Sequence, residues 1–130
     1  MPKPVKIQVR FSDLDVLGHV NNSVYLSYFE IARVHYFGQM LGEDWDWTKN
    51  SVVLVKNNVE YLKPVLLSDE PCLTIIADQI GTKSFSLNYE LHVNDILHTT
   101  GGSTLVCFDP SRNETISIPE VMKKELLKLK

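Results

Sequence analysis

Residues 23–41 read SVYLSYFEIARVHYFGQML, and their apolar side chains recur on two interleaved rows. Tyr25, Phe29, Ala32 and Tyr36 fall at spacings of three and four, as do Tyr28, Ile31 and His35. That period predicts an α-helix, and so wide an apolar surface predicts a helix covered on most sides. Gly42 is placed to end it. Glu30 and Arg33 are spaced to pair across one turn. A chain of 130 residues has room for one core around such a helix and little else, so residues 1–130 are expected to be a single domain.

The segments on either side predict what covers the helix. VKIQVRF (5–11) alternates apolar and polar residues, the period of a half-buried strand. Beyond a polar loop containing two tryptophans (43–50), strands are expected at 51–65, 71–80, 83–93 and 96–109. The KNN within the first of these marks a bulge or bend. Gly81-Thr82 and Asn94-Asp95 are read as two-residue hairpin connections, and Gly101-Gly102 as a bulge in the last strand. After a turn at PSRN, PEVMKKELLKLK has the pattern of a short amphipathic helix. The order is strand, long helix, then four strands in a meander. This is an α+β layer arrangement, an antiparallel sheet of about five strands against one long helix. Such a sheet covers only part of a helix apolar nearly all round, which leaves a face or a sheet edge for a second subunit.

Composition excludes several functions. Thirteen basic and sixteen acidic residues give a formal charge of −3, so no broad cationic surface for nucleic acid is expected. No apolar run approaches the roughly 20 residues that span a bilayer, so no membrane role is expected. MPKPVKIQVR lacks the apolar core of a signal peptide. Cys72 and Cys107 lie far apart in apolar, strand-like runs, as expected of buried free thiols in a reducing compartment. The expected location is cytoplasmic. His35, His92 and His98 are scattered without metal-ligand spacing, and no C-x-x-C is present, so no metal site is expected.

SDLDVLGHVNN (12–22) crowds polar residues onto the joint between the first strand and the helix. Asn21, Asn22 and Ser23 are N-cap candidates. Asp13 is read as a turn residue. A helix N-terminus offers free N–H groups and partial positive charge to an oxygen that turns negative during acyl transfer. A carboxylate a few residues earlier can activate water as a general base, or attack as a nucleophile. Gly18, lacking Cβ, lets backbone and substrate approach closely. These parts are what hydrolysis of an activated ester requires. His19 is read either as orienting Asp15 or the substrate, or as holding the turn through its backbone.

FSDLDVLGHVNNSVYLSYFEIAR resembles the signature of hotdog-fold thioesterases of the 4-hydroxybenzoyl-CoA thioesterase type. It is also similar to the D-L-D-x-N-x-H-V-N-N segment of plant acyl-carrier-protein thioesterases. VEYLKPV and GTKSFSLNYEL match the family's later strands, so the resemblance covers most of the chain. It implies a hotdog fold, the sheet wrapped around one long central helix. It implies Asp15 as the catalytic carboxylate, and the backbone N–H near Asn22 as the donor to the thioester carbonyl. Gly18 matches the glycine of the turn, and Lys83 and Ser84 the positions that contact the coenzyme A nucleotide. Tyr25 and Tyr28, on the helix, are read as core or pocket wall rather than as catalysts. Leu17 stands where the plant enzymes carry asparagine, so an Asn–His pair is not implied. Some hotdog enzymes use a helix glutamate, but Glu30 ranks below Asp15 because Arg33 offers it a structural partner.

The resemblance thus implies hydrolysis of an acyl-CoA, or of an acyl-carrier-protein thioester, to a carboxylic acid and a free thiol, without metal or redox cofactor. It implies a homodimer or homotetramer with the active site at the dimer interface. Two rival classes accompany it: a hotdog dehydratase or hydratase using a histidine, and a non-catalytic acyl-thioester binding module. The motif is specific to the superfamily and says little about the acyl group.

Overall fold

The computed structural model describes residues 3–130; Met1 and Pro2, part of the stretch read as lacking a signal-peptide core, lie outside the described residues. The long periodic segment is helical over Val24–Leu41, here α1. Gly42 ends it with φ 82°, its N–H returning to the Gly38 carbonyl at 3.0 Å, a conformation glycine adopts without strain. Tyr25, Tyr28, Phe29, Ala32, Tyr36 and Phe37 are buried. The cover is less complete than the periodicity predicts. Ile31 and Val34 are 50% and 68% exposed, because the sheet reaches only one side of the helix.

Among the described residues six antiparallel strands form that sheet: β1 (Val5–Lys6), β2 (Ser51–Tyr61), β3 (Cys72–Ile80), β4 (Ser84–Val93), β5 (Ile96–Asp109) and β6 (Glu114–Thr115). Their order is β1-β3-β4-β5-β2, with β6 added beside β5. The expected four-strand meander therefore holds only for β3–β5. β2 crosses to pair with β5, from Ser51 opposite Phe108 to Tyr61 opposite Thr99. Its side chains Val53, Leu54 and Val55 are exposed along the sheet's edge. β2 bulges between Leu54 and Lys56, just ahead of the KNN stretch, and ends at Tyr61 rather than continuing to residue 65.

β1 is shorter than its alternation suggests, although Val5, Ile7 and Val9 are all buried. After Ile7 donates to the Pro71 carbonyl at 2.9 Å, the opposite chain has reached a proline without an N–H, and the ladder stops. The β3–β4 connection is Gly81 to Lys83, one residue longer than the sequence suggests. Asn94 and Asp95 make the expected tight turn, with φ of 50° and 63°. Gly101 and Gly102 are not a bulge, since β5 stays in register there with both neighbours. A Cβ on Gly101 would lie 2.6 Å from the Phe29 ring, so glycine lets α1 press directly on the sheet. Phe29 stacks on Tyr89 of β4 with centroids 4.2 Å apart.

The second helix, α2 (Glu120–Leu127), buries Met122 and Leu126. Its trailing Leu129 accepts the Ala77 N–H at 3.0 Å, docking the C-terminus on β3. Cys107 lies against Met122, with burial pushing its thiol up to about 11. Among the described residues no helix is long and apolar enough to cross a membrane.

Candidate active site

The polar joint folds as a small hairpin of its own. Leu14 and Val20 bridge, and the Asp15 N–H donates to the His19 carbonyl at 2.8 Å. Gly18 turns the tip with φ 77°. A Cβ there would meet nothing within 4 Å, so it is the backbone angle that calls for glycine. Val20 donates to the Val65 carbonyl, and Asn21 to the Asp13 carbonyl, each at 2.8 Å. These bonds tie the turn to the chain leaving β2 and to the segment before it.

Asp15 is half-buried, and one of its oxygens is committed. Oδ1 accepts the N–H of Leu17 at 2.9 Å and that of His19 at 3.2 Å. Among the described residues Oδ2 has no partner, so a fixed carboxylate keeps one oxygen for water or substrate. His19 holds the turn through its own N–H and carbonyl, and its half-buried ring borders the recess beside Asp15.

The helix start differs in detail from a simple cap. Ser23 occupies the N-cap position without a side-chain cap bond. Asn21 Oδ1 instead accepts the Ser23 N–H at 3.0 Å and its hydroxyl at 2.9 Å. The Asn21 carbonyl accepts the Val24 N–H at 2.9 Å. The Asn22 N–H makes no hydrogen bond among the described residues, which leaves it available at the positive end of α1.

Asp15, His19, Asn22 and Tyr25 line one open recess of about 260 Å³ with Val20 and residues 61–64. The structure thus gathers four of the residues singled out in the sequence. It adds Tyr61, whose ring meets Tyr25 edge-on at 5.1 Å and whose hydroxyl donates to the Asn22 carbonyl at 2.9 Å. In the sequence Tyr61 shows only as part of a long strand. The nearest signal is Pro64, which has no N–H and so marks that the strand cannot run on as far as residue 65. Burial raises the Tyr25 phenol above its ordinary value.

Lys83 and Ser84 stand apart from this recess. Ser84 borders a polar one with Asp78, Gln79 and Lys130. Exposed Lys83 reaches Thr115 Oγ1 at 3.4 Å, while its carbonyl accepts the Cys107 N–H at 2.8 Å.

Two expectations about charged groups change. Asp13 is more than a turn residue: it is 3% exposed and accepts the Arg10 N–H at 2.9 Å and the Tyr28 hydroxyl at 2.7 Å. Burial alone raises its pKa. Those two bonds and the Arg10 charge outweigh it and hold the carboxyl below its ordinary range. Arg33 does not pair with Glu30. Its guanidinium turns inward to the Tyr89 hydroxyl at 3.0 Å, while Glu30 stays exposed, bordering recesses along α1 rather than the one at Asp15. No group of three or more His, Cys, Asp or Glu side chains among the described residues is arranged to hold a metal ion.

Residues 9–126 match the model of the thioesterase-like superfamily. The chain belongs to this superfamily. It is 29% identical to the long-chain acyl-CoA thioesterase FadM of Escherichia coli K12 over 126 residues, 93% of this chain and 94% of FadM. It is 31% identical to YsmA of Bacillus subtilis 168 over 86 residues, a match spanning 65% of this chain but only 56% of YsmA. A Thermus thermophilus thioesterase, solved with coenzyme A and zinc, is 34% identical with a TM-score of 0.85, covering 98% of this chain and 93% of that one. The curled sheet around α1 is the hotdog fold, and thioesterase-like superfamily membership makes the protein a thioester hydrolase by class.

Proposed function

We propose that this single domain is an acyl-CoA thioesterase, converting acyl-CoA and water to a carboxylic acid and free CoA. The observation that carries the reading is the Asp15 carboxylate, anchored by Oδ1 with Oδ2 free, on a recess shared with the unbonded Asn22 N–H. Asp15 takes the proton from water as the water oxygen bonds to the thioester carbon, or adds to that carbon itself to form an anhydride that water then opens. The Asn22 N–H receives the oxygen that becomes negative, a donor whose removal elsewhere costs about 100- to 1,000-fold in rate. Collapse breaks the C–S bond, and the departing thiolate takes up a proton. His19 orients Asp15 or the substrate, and Gly18 and Tyr25 shape the wall. Lys83 and Ser84 contact the nucleotide end of CoA.

CoA thioesters are favoured as substrates by the CoA-bound Thermus relative and by FadM. The active assembly is a homodimer or homotetramer with the site at the dimer interface. Support comes from the apolar outer edge of β2 and from exposed Ile31 and Val34 on α1, surfaces that a second copy would take out of water. Free Cys72 and Cys107 fit a reducing, cytoplasmic setting.

A hydrolysis screen across acyl-CoA chain lengths and aryl-CoAs, with acyl-carrier-protein thioesters alongside, tests the activity. Release of free CoA from at least one class is expected. No release from any would turn the reading toward a binding module, and formation of a hydroxyacyl-CoA from an enoyl-CoA would replace it with hydration. Sedimentation of the same sample reads the oligomeric state, for which a monomer at assay concentration is the contrary result.

A further inference from the structure

Asp13 stands two residues before Asp15, yet it is buried and does not line the recess at Asp15. Burying a carboxylate is costly unless hydrogen bonds and opposite charge close around it. The nearest cation does little here. The Arg10 guanidinium is 3.6 Å away on a side chain 71% exposed, where water and salt screen it. The firm contacts are at Oδ2, which accepts the Arg10 N–H at 2.9 Å and the Tyr28 hydroxyl at 2.7 Å. A donor bonded to an ionised oxygen makes one of the stronger hydrogen bonds in a protein.

The backbone of Asp13 extends the network. Its N–H donates to the Arg10 carbonyl at 2.9 Å, closing the single 3-10 turn Phe11–Asp13. Its carbonyl accepts the Asn21 N–H at 2.8 Å, the residue directly before Asn22. Asp13 and Asn21 thus form the base of the hairpin that carries Asp15. Tyr28 belongs to α1, and its ring meets that of Tyr25, a wall of the recess, edge-on with centroids 5.9 Å apart. One buried residue therefore bonds to the chain leaving β1, to the hairpin and to the helix. Apolar packing would press these segments together without fixing their orientation, because burial is non-directional. A hydrogen bond fixes it.

We infer that Asp13, acting through Tyr28, is a positioning residue for hydrolysis. The bond between them sets the angle between the Asp15 hairpin and the start of α1. Water activated at Asp15 and the oxygen held by the Asn22 N–H then meet at one thioester carbon. This role rests on the activity proposed above and adds to it a residue that touches neither substrate nor reacting atoms. A misplacement of about 1 Å costs on the order of 100-fold in rate.

Steady-state kinetics and melting curves on full-length protein test it, with the thioester that the wild type cleaves fastest. Tyr28→Phe keeps the ring and removes the one bond to Asp13. Its kcat should fall about tenfold or more with KM within about twofold. Its melting temperature should fall too, because a buried carboxylate has lost a donor. The double variant Asp13→Leu/Tyr28→Phe removes both polar partners and keeps an apolar group at each place, a change that is often neutral or stabilising. Its melting temperature should rise above that of Tyr28→Phe, while kcat stays about tenfold or more below wild type. If Asp13 served stability alone, activity would return with the melting temperature. Wild-type kcat in Tyr28→Phe, or in the double variant, would overturn the positioning role. A wild type that cleaves no thioester would overturn the hydrolytic reading beneath it.

Discussion

The Tyr61 hydroxyl donates to the Asn22 carbonyl across 2.9 Å, joining the last residue of β2 to the start of α1. This bond orients the backbone on which the proposed oxyanion donor sits. Tyr61→Phe keeps the ring against Tyr25 but loses the bond. The expected result is a fall in kcat of about tenfold, with KM within about twofold and the melting temperature unchanged, since misplacing a preorganised group costs rate rather than fold. Steady-state kinetics on the best substrate of the screen, with a melting curve, check it; an unchanged kcat refutes the positioning role.

Asp15→Asn separates chemistry from structure at a single atom. An asparagine Oδ1 can still accept the Leu17 and His19 N–H groups, so the turn should persist. The amide cannot take a proton from water, so hydrolysis should fall by about 100-fold or more. Asp15→Ala loses both acceptors and should also destabilise the fold by about 1 kcal/mol, as loss of a cap does. Full activity in a folded Asp15→Asn protein would exclude Asp15 from the chemistry.

Asp13 should govern part of the acid limb of stability. A carboxyl whose pKa is lower folded than unfolded adds stability above its unfolded value, near 3.8, and that contribution is lost as pH falls through the folded value. Urea unfolding across the acid range should therefore show wild-type stability dropping more steeply on acidification than that of Asp13→Asn. Identical slopes would mean that the bonds from Arg10 and Tyr28 add nothing.

Gly101→Ala should damage the core without touching the recess at Asp15. The new Cβ would sit 2.6 Å from Phe29 Cε2 and Cζ and 2.8 Å from the Asn58 carbonyl oxygen. Overpacking of this kind costs about 1–3 kcal/mol. Chemical denaturation reads it directly, and a stability equal to wild type would show that α1 can withdraw from β5 at no cost.

What the sequence determined by itself is local. The helical period of 23–41, its end at Gly42 and the tight turn at Asn94-Asp95 follow from side-chain spacing and from residues suited to positive φ. The polar joint at 12–22 was legible for the same reason, because a glycine turn, an acidic residue and a helix start are neighbours along the chain. Tertiary structure decided the rest. It paired β2 with β5 and so brought Tyr61 to Asn22, 39 positions away. It also turned Arg33 inward to Tyr89, 56 positions away, rather than across one helical turn to Glu30. The difference is one of range: periodicity and turn chemistry are set within a few residues, whereas the partner of a hydroxyl or a guanidinium depends on strand register and on which face of the helix the sheet covers.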